Sequence, residues 1–184
     1  LAASGVIPEI TIADAAGKHP AGVEITHWKD GDTEILALLG NYTGEVTVNM
    51  PDVRHVYNIK TGETLGKGAA FDVNLKKARA VFYALLPEKG IAPAITLTSE
   101  RTAPGDVLTA KVRTPHRSST SAVGLRLLNP EGEEASWISR KAVLEDGRGA
   151  IDLPFALNDP TGNWTLEVLD LLTGHKKETQ VSVR

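Results

Sequence analysis

The sequence predicts an all-β protein built as two consecutive antiparallel β-sandwich domains. Three observations carry this. Short alternating apolar runs, broken by Gly, Pro, Asn and Asp, recur along the whole chain. No window of about eleven residues sustains apolar spacing at i, i+3, i+4 and i+7, as an amphipathic helix requires. The periodicity breaks between Pro87 and Pro93, around Gly90, as it often does at a domain boundary. Residues 1–88 and 94–184 therefore read as domains, and 89–93 as the linker.

In the first domain, Leu1–Gly5 reads as the tail of a helix stopped by Gly5, with Pro8 soon after. Ile7–Ile12 reads as a short strand. Val23–Trp28 follows, with Val23, Ile25 and His27 on one face and Trp28 on the other. The segment Lys29-Asp30-Gly31-Asp32 carries the Asp-Gly hairpin signal. Glu34–Asn41 is almost continuously apolar, which predicts a central strand buried on both faces. Glu45–Met50 and Val53–Ile59 are the next two strands, followed by the turn Lys60–Glu63. Gly62, Gly66 and Gly68 read as one turn region. Ala70–Leu75 and Ala80–Leu86 close the domain around the charged turn Lys76-Lys77-Ala78-Arg79.

In the second domain, Ala94–Thr98 is a strand and Pro104-Gly105-Asp106 a tight turn. Val107–Arg113 alternates, and Leu108, Ala110 and Val112 form its inward set. Pro115–Ser121 reads as a polar loop. Ala122–Leu128, Ala135–Val143, Ala150–Ala156, Asn163–Leu169 and Lys177–Val183 complete seven strands at regular spacing. That spacing predicts an immunoglobulin-like sandwich.

The net charge is −3, shared between the halves, and no Lys/Arg stripe is interleaved with aromatics. A nucleic-acid partner is not expected. No apolar run reaches the roughly 18–20 residues of a membrane helix. With no cysteine, disulfides, thiolate metal sites and Cys nucleophiles are excluded. Leu1 opens the chain and the single methionine, Met50, lies in a strand-like stretch, so a processed or engineered fragment is expected.

The search for chemistry returns little. The carboxylate pairs Asp30/Asp32, Glu133/Glu134 and Glu145/Asp146 flank turns, where water solvates them. His19, His27, His55, His116 and His175 show no i, i+2 or i+4 pairing, so no local metal clamp is expected, although strands could bring His27 and His55 together. Ser118-Ser119-Thr120-Ser121 follows His116 but lacks a positioned base and an orienting acid. No catalytic residue, metal or cofactor is expected. The remaining candidates are aromatic. Trp164 shares a face with Leu166 and Val168 and belongs to the core. Trp28 and Trp137 could stack on a sugar, so a polysaccharide is the alternative partner. By alternation Trp137 shares a face with Ala135 and Ser139, against Ile138.

Three stretches of the first half carry a family resemblance: Leu1–Pro8; Gly22–Gly31 with Leu38–Tyr42; and Val56–Glu63 with Ala84–Pro87. They resemble the small C-terminal β-sandwich of bacterial glycoside hydrolases with a β-galactosidase-type trimerisation domain. The second half, through Ala103–Val107, Leu128–Gly132 and Thr161–Leu166, resembles the sandwich modules of macroglobulin-like and fibronectin-like proteins. The resemblance implies a secreted or periplasmic parent enzyme with its catalytic carboxylates on an upstream barrel, and a non-catalytic accessory role for this region. Its partners would be the upstream domains of the same chain.

Overall fold

The computed structural model describes residues 9–116 and 118–184. The expected helix tail at Leu1–Gly5 and the start of the Ile7–Ile12 strand lie outside these residues. The chain divides into two compact units, Leu1–Lys29 with Thr33–Lys89, and Asp30–Asp32 with Gly90–Arg184. All the regular structure among the described residues is β.

Unit 1 contains β1 (Thr11–Ala13), β2 (Val23–Asp30), β3 (Thr33–Gly40), β4 (Gly44–Asn58), β5 (Thr64–Leu75) and β6 (Val81–Leu86). Their order is β1-β4-β6-β3-β2, with β5 also paired to β4. β3 lies inside the sheet, as its apolar run predicts. Every strand feeds one core: Ile12, Val23, Leu36, Leu38, Val46, Val48, Val56, Phe71, Val73, Tyr83 and Leu85 pack together. A single sheet can do this only by curling over itself. The β2–β3 turn places Gly31 at φ 60° in the first of its two central positions, where a type II′ turn needs glycine.

Two expectations are corrected here. Glu45–Met50 and Val53–Ile59 are one strand, β4, whose register with β5 shifts between Asn49 and Arg54. Pro51 reads as a break in sequence, but the shift accommodates a residue that cannot join the ladder. It also lets β4 pass from β1, which it pairs at residues 47–49, to β6, which it pairs at residues 55–58. The expected glycine turn is the second correction. Gly62 is in the turn, whereas Gly66 and Gly68 lie in β5, where Gly66 opposes Val56 at a second shift.

Unit 2 contains β7 (Ala94–Leu97), β8 (Arg101–Thr102), β9 (Val107–Arg113), β10 (Thr120–Leu128), β11 (Arg140–Glu145), β12 (Arg148–Pro154), β13 (Gly162–Asp170) and β14 (Lys176–Val183). The order is β7-β9-β12-β11-β10-β13-β14-β8. β11 and β12 pair only at Glu145 and Arg148, and there the chain changes layer. Asp146 (φ 47°) and Gly147 (φ 68°) form the turn, both in the left-handed region that a type I′ hairpin demands. The layers are therefore β7-β9-β12 and β11-β10-β13-β14-β8, the immunoglobulin-like arrangement. Leu108, Ala110 and Val112 point inward as expected. The two-residue strand β8 was not expected; it pairs in parallel with β14 while β7 pairs with β9, so one short segment serves both layers.

The stretch Ala135–Ser139 is a correction. It is a turn, and β11 starts only at Arg140. Ala135 and Ile138 are both buried, which strand alternation forbids for positions three apart and a tight turn permits. The N–H groups of Ile138 and Ser139 both donate to the Ala135 carbonyl (3.1 Å each).

Candidate functional site

Trp28 lies on β2, opposite in parity to Val23 and Ile25, and is 51% exposed. Trp137 is 62% exposed. Its outward direction comes from the turn, which spends Ala135 and Ile138 on the core, and not from strand alternation. Trp164 is fully buried. Its ring meets Phe155 edge-on (5.3 Å, 88°) and its Nε1–H donates to the Pro160 carbonyl (2.9 Å). Trp28 belongs to unit 1 and Trp137 to unit 2.

The densest polar cluster of unit 1 surrounds Glu34, a residue sequence reasoning passed over as the polar start of an apolar run. Register with Leu85 puts Glu34 on the core face, where it is 7% exposed. Arg54 Nη2 donates to Oε1 (2.8 Å) and to Asp52 (3.3 Å). His27 Nε2 bonds Oε2 (2.9 Å), and Lys29 Nζ stands 3.6 Å from Oε1. Burial pushes the Glu34 carboxyl upward. The hydrogen bonds from Arg54 and His27 and the Arg54 and Lys29 charges outweigh it and hold the group below the usual carboxylate range. The signal available in sequence was the hairpin, which returns Glu34 alongside His27 and Lys29. A cavity of about 450 Å³ adjoins this cluster, lined by Ile10, Val23 and Ile25 with Glu9, Thr11, His19 and His27. The pairing of His27 with His55 does not occur. His55 opposes Leu86 and shares the face of Tyr57, the reverse of the face carrying His27 and Glu34. Among the described residues no group of three or more His, Asp or Glu is arranged to hold a metal ion.

In unit 2 the expected polar loop at Pro115–Ser121 is partly buried among its described residues, with Pro115, Ser119 and Thr120 exposed and Thr120 already opening β10. Ser118 and Ser121 are buried, and the His116 ring, also buried, bonds the Asp170 carboxylate through Nε2. Asp170 is 1% exposed. Its Oδ1 accepts the N–H groups of Leu172 (2.8 Å) and Thr173 (3.4 Å), closing the β13–β14 turn. Ser121 shares a hydrogen bond with Thr114 (3.1 Å). This is the geometry of a clamp between two loops: His116, Asp170, Thr114 and Ser121 hold chain in place, whereas the buried Ser118 Oγ has no hydrogen-bond partner among the described residues.

The outer face of β10, β13 and β14 carries a second network. Arg126 bridges Glu134 (3.0 Å) and Glu167 (2.9 Å), and Lys176 bridges Glu167 (3.2 Å) and Glu178 (2.9 Å). The Arg126 hydrogen bond holds the Glu134 carboxyl below its ordinary range, and the Lys176 hydrogen bond does the same for Glu178. These surface ion pairs contribute little stability each. Glu134, read from sequence as a solvated turn carboxylate, is one anchor of this ladder.

The geometry defines a class: two all-β units, the second immunoglobulin-like, whose buried carboxylates Glu34, Asp159 and Asp170 are bonded by groups of the fold. No protein-family model and no curated protein matches the sequence. Among solved structures, the chain is similar to Salmonella alpha-2-macroglobulin reacted with methylamine, with 15% identity and a TM-score of 0.39. It is also similar to E. coli alpha-2-macroglobulin in its native conformation, with 14% identity and a TM-score of 0.40. These alignments cover 89% and 88% of this chain and 12% of each of the others, so it spans about an eighth of their length.

Proposed function

We propose that the chain is a non-catalytic structural or docking region of a larger protein. The observation that carries this is how the buried ionisable groups are used. Both carboxylate oxygens of Glu34 are engaged, by Arg54 and His27, with Lys29 Nζ 3.6 Å away, and both of Asp170 are engaged by His116 and two turn amides. A general acid or base needs a free lone pair or proton aimed at a substrate. The bacterial glycoside-hydrolase parent is a further part of the proposal; it rests on the turn and core residues of the first half. The purified chain is expected to leave chromogenic glycosides and esters unhydrolysed. Turnover that is lost on Glu34→Gln or Asp170→Asn would overturn the reading.

The exposure of Trp28 and Trp137 favours one second reading, a carbohydrate-binding module. Affinity electrophoresis through gels containing soluble polysaccharides decides it. Retardation abolished by Trp28→Ala or Trp137→Ala supports sugar binding; unchanged mobility across the panel removes it.

A further inference from the structure

Gly124 is a glycine that the fold of unit 2 does not require. It lies in the middle of β10, an interior strand whose register with β11 and β13 is unbroken. Its φ is outside the left-handed region. A Cβ at this position would meet only Leu171 Cδ2 (3.4 Å) and Leu169 Cβ (3.8 Å), both ordinary side-chain contacts. Glycine inside a strand weakens it, and often marks a place where a ligand or another backbone comes close. No other strand's backbone comes that close here, and a hollow of about 390 Å³ opens at the position. Lys141 flanks Gly124 on β11 and Leu169 flanks it on β13, on the outer face of the sheet. The lining is divided. Leu169 and Leu171 are apolar, whereas the cations Arg126, Arg140, Lys141 and Lys176 outnumber the carboxylates Glu134 and Glu167 by two. Both carboxylates are already bonded, by Arg126 and Lys176. The Lys141 ammonium has no hydrogen-bond or ion-pair partner among the described residues.

We propose that this hollow binds a small carboxylic acid with a short apolar tail. Lys141 and Arg126 hold its carboxylate, and the tail lies over Gly124 against Leu169 and Leu171. Charge complementarity selects an anion. Arg140 donates to the Asp152 carbonyl (2.6 Å) and Lys176 is taken up by Glu167 and Glu178, which leaves Lys141 as the uncompensated charge. Arg126 spends two of its five N–H groups on Glu134 and Glu167 and keeps three for a further acceptor. The leucine pair selects an apolar tail over a bare ion, and the missing side chain at 124 gives that tail its room. The volume lies within the range of ligand sites, roughly 300–1,000 Å³. Binding here goes beyond the structural reading above and needs neither turnover nor an exposed tryptophan.

Amide NMR titration of the full chain with hexanoate tests it, with hexan-1-ol and acetate as controls at matched ionic strength. Saturable shifts are expected at the amides of Gly124, Lys141 and Leu169. Hexan-1-ol, which lacks the charge, and acetate, which lacks the tail, should each bind about threefold or more weakly than hexanoate. Lys141→Gln, at an exposed position, should weaken hexanoate by about the same factor. Gly124→Val puts a side chain that suits a strand into the hollow and should abolish the shifts with the remaining spectrum native. No saturable shift up to about 50 mM hexanoate overturns the proposal. Affinity for either control within about threefold of hexanoate's also overturns it, as does hexanoate affinity retained within that factor by Lys141→Gln or by folded Gly124→Val. If Gly124→Val loses the native spectrum, Lys141→Gln and the two controls decide. The turnover assay judges the non-catalytic reading separately, so the two can fail independently.

Discussion

Glu34 shows how a single carboxylate is stabilised at the edge of a core. Its folded state holds the proton less tightly than the unfolded chain does, because Arg54 and His27 bond the ionised form. The stability it contributes is complete above the ordinary glutamate value of about 4.3 and is lost as pH falls through its lower folded value. Glu34→Gln should therefore lower the stability of unit 1 at neutral pH by about 1–3 kcal/mol and flatten its decline below about pH 4.3, read by urea titrations across that range. The tryptophans give a second contrast. Trp164→Ala should cost about 3–5 kcal/mol in urea unfolding, because it empties a filled site beside Phe155. Trp28→Ala and Trp137→Ala should stay within about 0.5 kcal/mol, as substitutions at exposed positions do. Core membership of Trp164 was legible in sequence because its strand alternates cleanly. Glu34 was not, because its partners come from two other segments.

The elements were legible where local chemistry governs them and illegible where a neighbour does. The turn at Asp146–Gly147 follows from its residues alone. The union of two runs into β4 does not, since β1 and β6 on the one side and β5 on the other pull the chain straight through Pro51. The turn at Ala135–Ser139 was misread because its apolar residues also fit a strand. Close approach between β3 and the start of β2 gives a prediction. A Cβ on Gly40 would run into the carbonyl of Gly22 and lie 2.8 Å from Cα of Val23. Both are backbone, so Gly40→Ala should cost about 1–3 kcal/mol and shift the β2–β3 amide resonances. In the charged turn before β6, Ala78 sits at φ 56°, where a side chain is strained. Ala78→Gly should raise the thermal midpoint, the relief of about 1–2 kcal/mol exceeding the entropic cost of glycine.

At the scale of the whole chain, composition and turn spacing were enough to predict two all-β units, because patterning alone largely decides fold class. That unit 1 is one curled sheet around a single core was not readable, since register between distant strands fixes it. The clamps were equally hidden: His116 and Asp170 are brought together across 54 positions of sequence. The central claim is that these inward-lying charges serve the fold. Functional carboxylates are commonly held at a cost to stability, and replacing them often stabilises the protein, whereas structural ones do the reverse. The most direct measurement is residue-resolved hydrogen exchange of the full chain carrying Glu34→Gln or Asp170→Asn, read at the core amides of Leu36 and Leu38 in unit 1 and Leu166 in unit 2. The account predicts faster exchange in the substituted unit for both variants. Slower exchange, meaning a gain in stability, would mark the carboxylate as a strained functional group and contradict it.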